Sequence, residues 1–117
     1  MDNVETIYIN DFGVAFYWRK EYEVLTGRVQ IVFKETGFYL SKNEIRKFSE
    51  MIGDACSKQD CGSCCARGRC HRFLLKTPLP EIDLAVSSGE LTKIQDLIEG
   101  TLFHLELNDY LNTVGRN

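Results

Sequence analysis

Leu40-Ser41-Lys42-Asn43-Glu44-Ile45-Arg46-Lys47-Phe48 is the stretch whose reading decides the fold, because it superposes without a gap on Val86-Ser87-Ser88-Gly89-Glu90-Leu91-Thr92-Lys93-Ile94, an offset of 46 residues. Ser41 matches Ser87, Glu44 matches Glu90 and Lys47 matches Lys93, and the register runs on through Glu50 with Asp96, Met51 with Leu97 and Ile52 with Ile98. Ser at the N-cap with Glu three residues later is a capping box, in which each side chain satisfies the other residue's orphan backbone N–H. Each box opens an apolar stripe at helical spacing: Ile45, Phe48, Met51, Ile52 and Ala55 in one, Leu91, Ile94, Leu97 and Ile98 in the other. Two extended runs joined by a turn precede each helix. The expectation is an internal duplication of a strand-strand-helix unit, since one such unit cannot bury its own face whereas two can share a core. The competing reading is that any two amphipathic helices with capping boxes resemble one another.

Outward from these helices, residues 28–34 alternate Val29, Ile31 and Phe33 against Arg28, Gln30 and Lys34, and Glu35-Thr36-Gly37 reads as the tight connection to Phe38-Tyr39-Leu40. Tyr22 to Leu25 reads as a short extended piece that Thr26-Gly27 breaks. Nearer the N-terminus, Val4 to Ile9 and Val14 to Arg19 are strand-forming runs, and Asn10-Asp11-Phe12-Gly13 supplies the turn of a hairpin. Val14, Phe16 and Trp18 fall on one face of the second run, with Ala15, Tyr17 and Arg19 on the other. Both faces are rich in apolar residues, which suits a central strand or one that meets a partner chain. In the second half, His71 to Lys76 and Glu81 to Val86 read as strands joined by the rigid Thr77-Pro78-Leu79-Pro80. Gly100 reads as a helix stop. Leu107, Tyr110, Leu111 and Val114 then fit one face of a short closing helix, about 104–115, that packs on its own sheet or on a second subunit.

The expected fold class is therefore α+β: an antiparallel sheet from two strand-strand-helix repeats (about 28–55 and 71–100) plus an N-terminal hairpin, helices on one face, and a short C-terminal helix. A chain of 117 residues with 44% hydrophobic and 26% charged residues reads as one domain, 1–117, able to build a core unaided. No apolar run approaches the ~18 residues of a membrane span, and the N-terminal residues lack the pattern of a secretory signal. The expected compartment is the cytoplasm, and C2 symmetry makes a homodimer the expected assembly.

All five cysteines lie between the two units, in CSKQDCGSCCARGRC, residues 56–70. From Cys56 to Lys76 the cations Lys58, Arg67, Arg69, Arg72 and Lys76 outnumber Asp60 to give +4; the whole chain sums to −3, which leaves −7 for the rest. A basic, cysteine-rich loop on an acidic body is the main asymmetry of the chain. In a reducing compartment, clustered cysteines favour metal or thiol chemistry over a disulfide framework. Cys61 and Cys64 form a Cys-x-x-Cys pair, with Cys56, Cys65, Cys70 and His71 available to complete a tetrahedral zinc site. An iron–sulfur cluster ranks second: Cys56-x4-Cys61-x2-Cys64 reproduces three ligands of plant-type ferredoxin spacing, with Cys70 or Cys65 as the fourth. Thiol redox chemistry at Cys61 and Cys64 ranks third, because the motif follows a helix and precedes a strand, opposite to a thioredoxin-like site. Plain disulfides or free thiols compete with all three.

No catalytic set is complete: there is no Ser-His-Asp arrangement, no phosphate-cradling glycine motif and no HExxH. His104 reads as a core or interface histidine, Glu44 and Glu90 as caps, and Asp83 as an exposed strand residue. An acidic body with a pI near 5.4 argues against nucleic acid as a partner, so Phe12, Phe16, Tyr17, Trp18 and Tyr22 read as core or interface rather than as a stacking platform. The functional expectation is a non-enzymatic binding or interaction module that engages a protein partner and whose cysteine loop holds a metal structurally. The rival is a thiol redox or iron–sulfur electron-transfer protein.

VQIVFKETGFYLSKNEIRKF in the first half, with LKTPLPEIDLAVSSGELTKIQDLIEG and LFHLELNDYL in the second, resembles a group of small proteins of unassigned activity from Bacteroidetes-type bacteria. The resemblance spans about three quarters of the chain and rests on apolar patterning and caps, so what it implies is the fold. That group carries a Cys-x-x-Cys pair before the second strand, where this chain has Arg19 to Thr26; the cysteines here follow the first helix, and a shared metal site does not carry over.

Overall fold

The computed structural model describes residues 3–58 and 73–114. In chain order the elements are β1 (Val4–Ile9), β2 (Gly13–Lys20), β3 (Glu23–Phe33), β4 (Thr36–Leu40), α1 (Lys42–Lys58), β5 (Phe73–Lys76), β6 (Asp83–Val86) and α2 (Ser88–Val114). The architecture is α+β. Strands β1 to β4 form an antiparallel meander in the order β1-β2-β3-β4, and β5 and β6 pair as a separate two-stranded sheet. The single sheet expected from both halves is thus two sheets among the described residues, although the order strand, strand, helix does occur twice.

Local chemistry accounts for the turns. The Asn10 side-chain oxygen accepts from the backbone N–H groups of Phe12 and Gly13, both at 2.9 Å, and turns β1 into β2. The β3–β4 hairpin turns at Lys34-Glu35, one residue earlier than expected, with both residues in the left-handed region (φ 50° and 62°). That pair of positive φ values matches the twist of the flanking strands. Thr77 is buried; its hydroxyl donates to the Ile82 carbonyl at 2.7 Å and accepts from the Leu79 N–H at 3.2 Å, which closes the proline-bearing β5–β6 connection.

Both capping boxes form. Ser41 N–H donates to the Glu44 carboxylate at 2.9 Å and Glu44 N–H to the Ser41 hydroxyl at 3.3 Å; Ser87 and Glu90 repeat the exchange at 3.0 and 3.2 Å. The stop at Gly100 and the separate helix at 104–115 are corrected: α2 is one 27-residue helix. Gly100 has a different role. A Cβ there would lie 2.5 Å from ring carbons of Tyr8, so the glycine lets β1 press against the helix. Tyr8 donates to the Asp96 carboxylate at 3.0 Å, and the Asn10 amide donates to the same carboxylate at 2.9 Å.

The two helices share one face of the large sheet. Ala15, Val29, Ile31, Phe33, Phe38 and Leu40 meet Ile45, Phe48 and Ile52 of α1 and Leu91, Ile94, Leu97 and Ile98 of α2 in one buried cluster, which Leu75 and Val86 of the small sheet join. Phe12, Phe33, Phe38 and Phe48 run through it as a chain of ring contacts at 5.8, 5.9 and 6.0 Å. Thr26-Gly27 does not end a strand as expected. It sits in an irregularity of β3, where the pairing with β2 jumps from Gln30 opposite Phe16 to Leu25 opposite Trp18.

Candidate functional site

Of the six residues singled out for metal binding, Cys61, Cys64, Cys65, Cys70 and His71 lie outside the described residues. Cys56 is described. It sits near the end of α1, half-buried against the core cluster, and burial together with the nearby Glu99 carboxylate pushes its thiol pKa up. A raised pKa disfavours the thiolate that nucleophilic or metal chemistry requires. Among the described residues no group of three or more His, Cys, Asp or Glu is placed to hold a metal ion. His104 stacks beside Tyr8 and against the edge of Phe103, both at 5.6 Å, in keeping with the packing role expected of it. Glu44 serves as a cap; the Ser41 N–H and the Arg28 guanidinium hold its carboxyl below the usual carboxylate range.

A candidate binding surface is the face of the large sheet turned away from the helices. Strand register aligns Val14 with Val32, and Thr6, Phe16, Gln30 and Tyr39 across all four strands, with Trp18 opposite Val4 and Leu25. None of these residues is buried, and Trp18 and Tyr39 are 40% and 44% exposed. Alternation explains the pattern, because the intervening residues Ala15, Ile31 and Phe38 are the ones that enter the core. Trp18 and Gln30 pair their side-chain polar groups within this face. Trp18 Nε1 donates to Gln30 Oε1 at 3.0 Å, and Gln30 Nε2 donates to the Phe38 carbonyl at 3.2 Å. The Phe16 ring meets the Trp18 ring edge-on at 5.1 Å. Arg28 lies 6.0 Å from the Tyr39 ring centre and is held by the Tyr39 carbonyl and Glu44, at 3.0 and 2.9 Å.

Alternation along β2 places Val14, Phe16 and Trp18 on one face, and its two apolar faces suit a central strand or one that meets a partner chain; β2 lies between β1 and β3. Alternation could not supply Val32, Gln30 and Tyr39, which become their neighbours only through the meander. On α2, Phe103, Leu107, Tyr110 and Leu111 are exposed, while Leu105 turns inward and Leu102 packs against the core. No helix among the described residues is long and apolar enough to cross a membrane. No family model, no curated protein and no solved structure matches this chain.

Proposed function

We propose that this protein is a non-enzymatic interaction module that receives a protein partner on the outer face of its four-stranded sheet. The observation that carries the reading is the Trp18–Gln30–Phe38 hydrogen-bond chain: with the Trp18 indole and the Gln30 amide already paired, these two groups can be covered without the ~1–3 kcal/mol lost for each polar group left unpaired. Exposed Trp and Tyr are the side chains that most often anchor protein interfaces. Arg28, the arginine on this side, is committed to Glu44 and the Tyr39 carbonyl, which favours a protein over a phosphate backbone. The test is site-specific photo-crosslinking from position 14, in cells that make the protein. A defined adduct is expected that the Phe16→Ala/Trp18→Ala double variant loses, while a probe at exposed Lys47 on α1 gives none. Adducts indifferent to the double variant would defeat the reading.

The cysteine segment is proposed to hold zinc as a structural staple. The ligand set is drawn from Cys56, Cys61, Cys64, Cys65, Cys70 and His71. Elemental analysis of protein purified without chelator is expected to show about one zinc per chain. Iron in its place would favour the electron-transfer alternative, and a metal-free protein would leave disulfides or free thiols.

A further inference from the structure

On the helix side of the sheet, a cleft of about 560 Å³ opens between the irregular part of β3, Tyr17 of β2, the start of α1 and the distal half of α2. Its volume lies within the range of small-molecule sites. The floor is apolar, from Val29 and Leu105, both nearly inaccessible to solvent. Lys42 and Asp109 form an ion pair along one wall. The other polar groups are the hydroxyls of Tyr17 and Thr26 and the amides of Asn108 and Asn112. Asn108 and Asn112 are four apart on α2 and so share a face. Each of these four groups both donates and accepts, and none spends its side chain on a hydrogen bond among the described residues. Burial, and then the charge of Asp109, raises the Tyr17 pKa.

We infer that this cleft is a binding site for a small neutral polyhydroxylated ligand, of the size and chemistry of a simple sugar. The four unspent groups match a ligand that presents hydroxyls in several directions. An anion would face Asp109 and a cation would face Lys42, and either would have to break the existing ion pair to gain a partner. An apolar ligand would strip water from all four groups and return nothing. The site lies on the opposite side of the sheet from the proposed partner face and is independent of it.

The experiment is titration of the ¹⁵N-labelled full chain with D-glucose, D-galactose, D-mannose and glycerol, with inorganic phosphate and tetramethylammonium as charged controls. At least one of the neutral probes is expected to shift the Gly27 backbone and the Asn108 and Asn112 side-chain resonances saturably. The Asn108→Ala/Asn112→Ala variant is expected to weaken that binding about tenfold, as suits the loss of two neutral hydrogen bonds, with the remaining spectrum unchanged. Thr26→Val serves as an independent second variant should the first disturb the helix. The inference is overturned by an absence of saturable shifts with every neutral probe, by binding that both variants leave intact, or by tighter binding of phosphate or tetramethylammonium.

Discussion

Gly100 illustrates how one residue type can carry opposite meanings. A glycine after a helical stripe most often ends the helix, yet here it lies inside α2 because the Tyr8 ring occupies the space of its absent side chain. Gly100→Ala should therefore destabilise the protein. The gain of about 1 kcal/mol in helix propensity is outweighed by displacement of a ring pinned to Asp96, an overpacking cost of ~1–3 kcal/mol, and urea denaturation would read the difference. Glu35 presents the reverse case. It adopts φ 62° in the β3–β4 turn, a conformation that costs an L-residue ~1–2 kcal/mol. Glu35→Gly should raise stability by about 0.5–1 kcal/mol, after allowing for the extra freedom of glycine in the unfolded chain. Neither φ value nor ring contact has a signature in the local sequence, since each is set by what the fold places beside the residue.

At the scale of the element, the helix starts were fully legible. Ser41 with Glu44 and Ser87 with Glu90 are short-range motifs whose partners lie three residues apart, and both form as read. Ser41→Ala or Ser87→Ala should cost about 1 kcal/mol, measurable as a lower thermal midpoint. The Glu44 carboxyl titrates below its usual range when folded. Its stabilising contribution is therefore complete above the unfolded pKa and is lost as pH falls through the folded value. Tyr8 contributes to the alkaline limb together with Tyr17 and Cys56, whose pKa values are also raised: its hydrogen bond to Asp96 raises its pKa, so its contribution is complete below the ordinary tyrosine value and is lost as pH rises through the folded one. Glu44→Gln should flatten the acid limb and Tyr8→Phe the alkaline limb in denaturation curves collected across pH.

For the molecule as a whole, the decisive feature is that α1, α2, both sheets and the aromatic chain contribute to one buried cluster. Phe48 is fully buried where that chain meets α1. Phe48→Ala should remove ~3–5 kcal/mol, a large part of a typical total of about 5–15 kcal/mol. Trp18 is the sole tryptophan and lies on the large sheet, so its emission follows that sheet while far-UV circular dichroism follows mainly the helices. The two transitions should coincide in the parent and in the variant. Separate midpoints would show that the sheet and the helices unfold as independent units.

By itself the sequence determined what short-range pattern can encode: the α+β class, the order of strands and helices, both capping boxes, the Asn10 turn and the inward stripes of Ile45, Phe48, Leu91 and Ile94. These depend on periodicity and on partners a few residues away. The tertiary structure alone decided the rest. It split the strands between two sheets, carried α2 through Gly100, and built the Trp18–Gln30–Tyr39 face and the Tyr17–Asn108 cleft from residues far apart in the chain. Alternation along β2 shows that Trp18 leaves the core side, but only the meander chooses Gln30 and Tyr39 as its neighbours. Pairing register is a property of two strands together, and no pattern within either strand contains it.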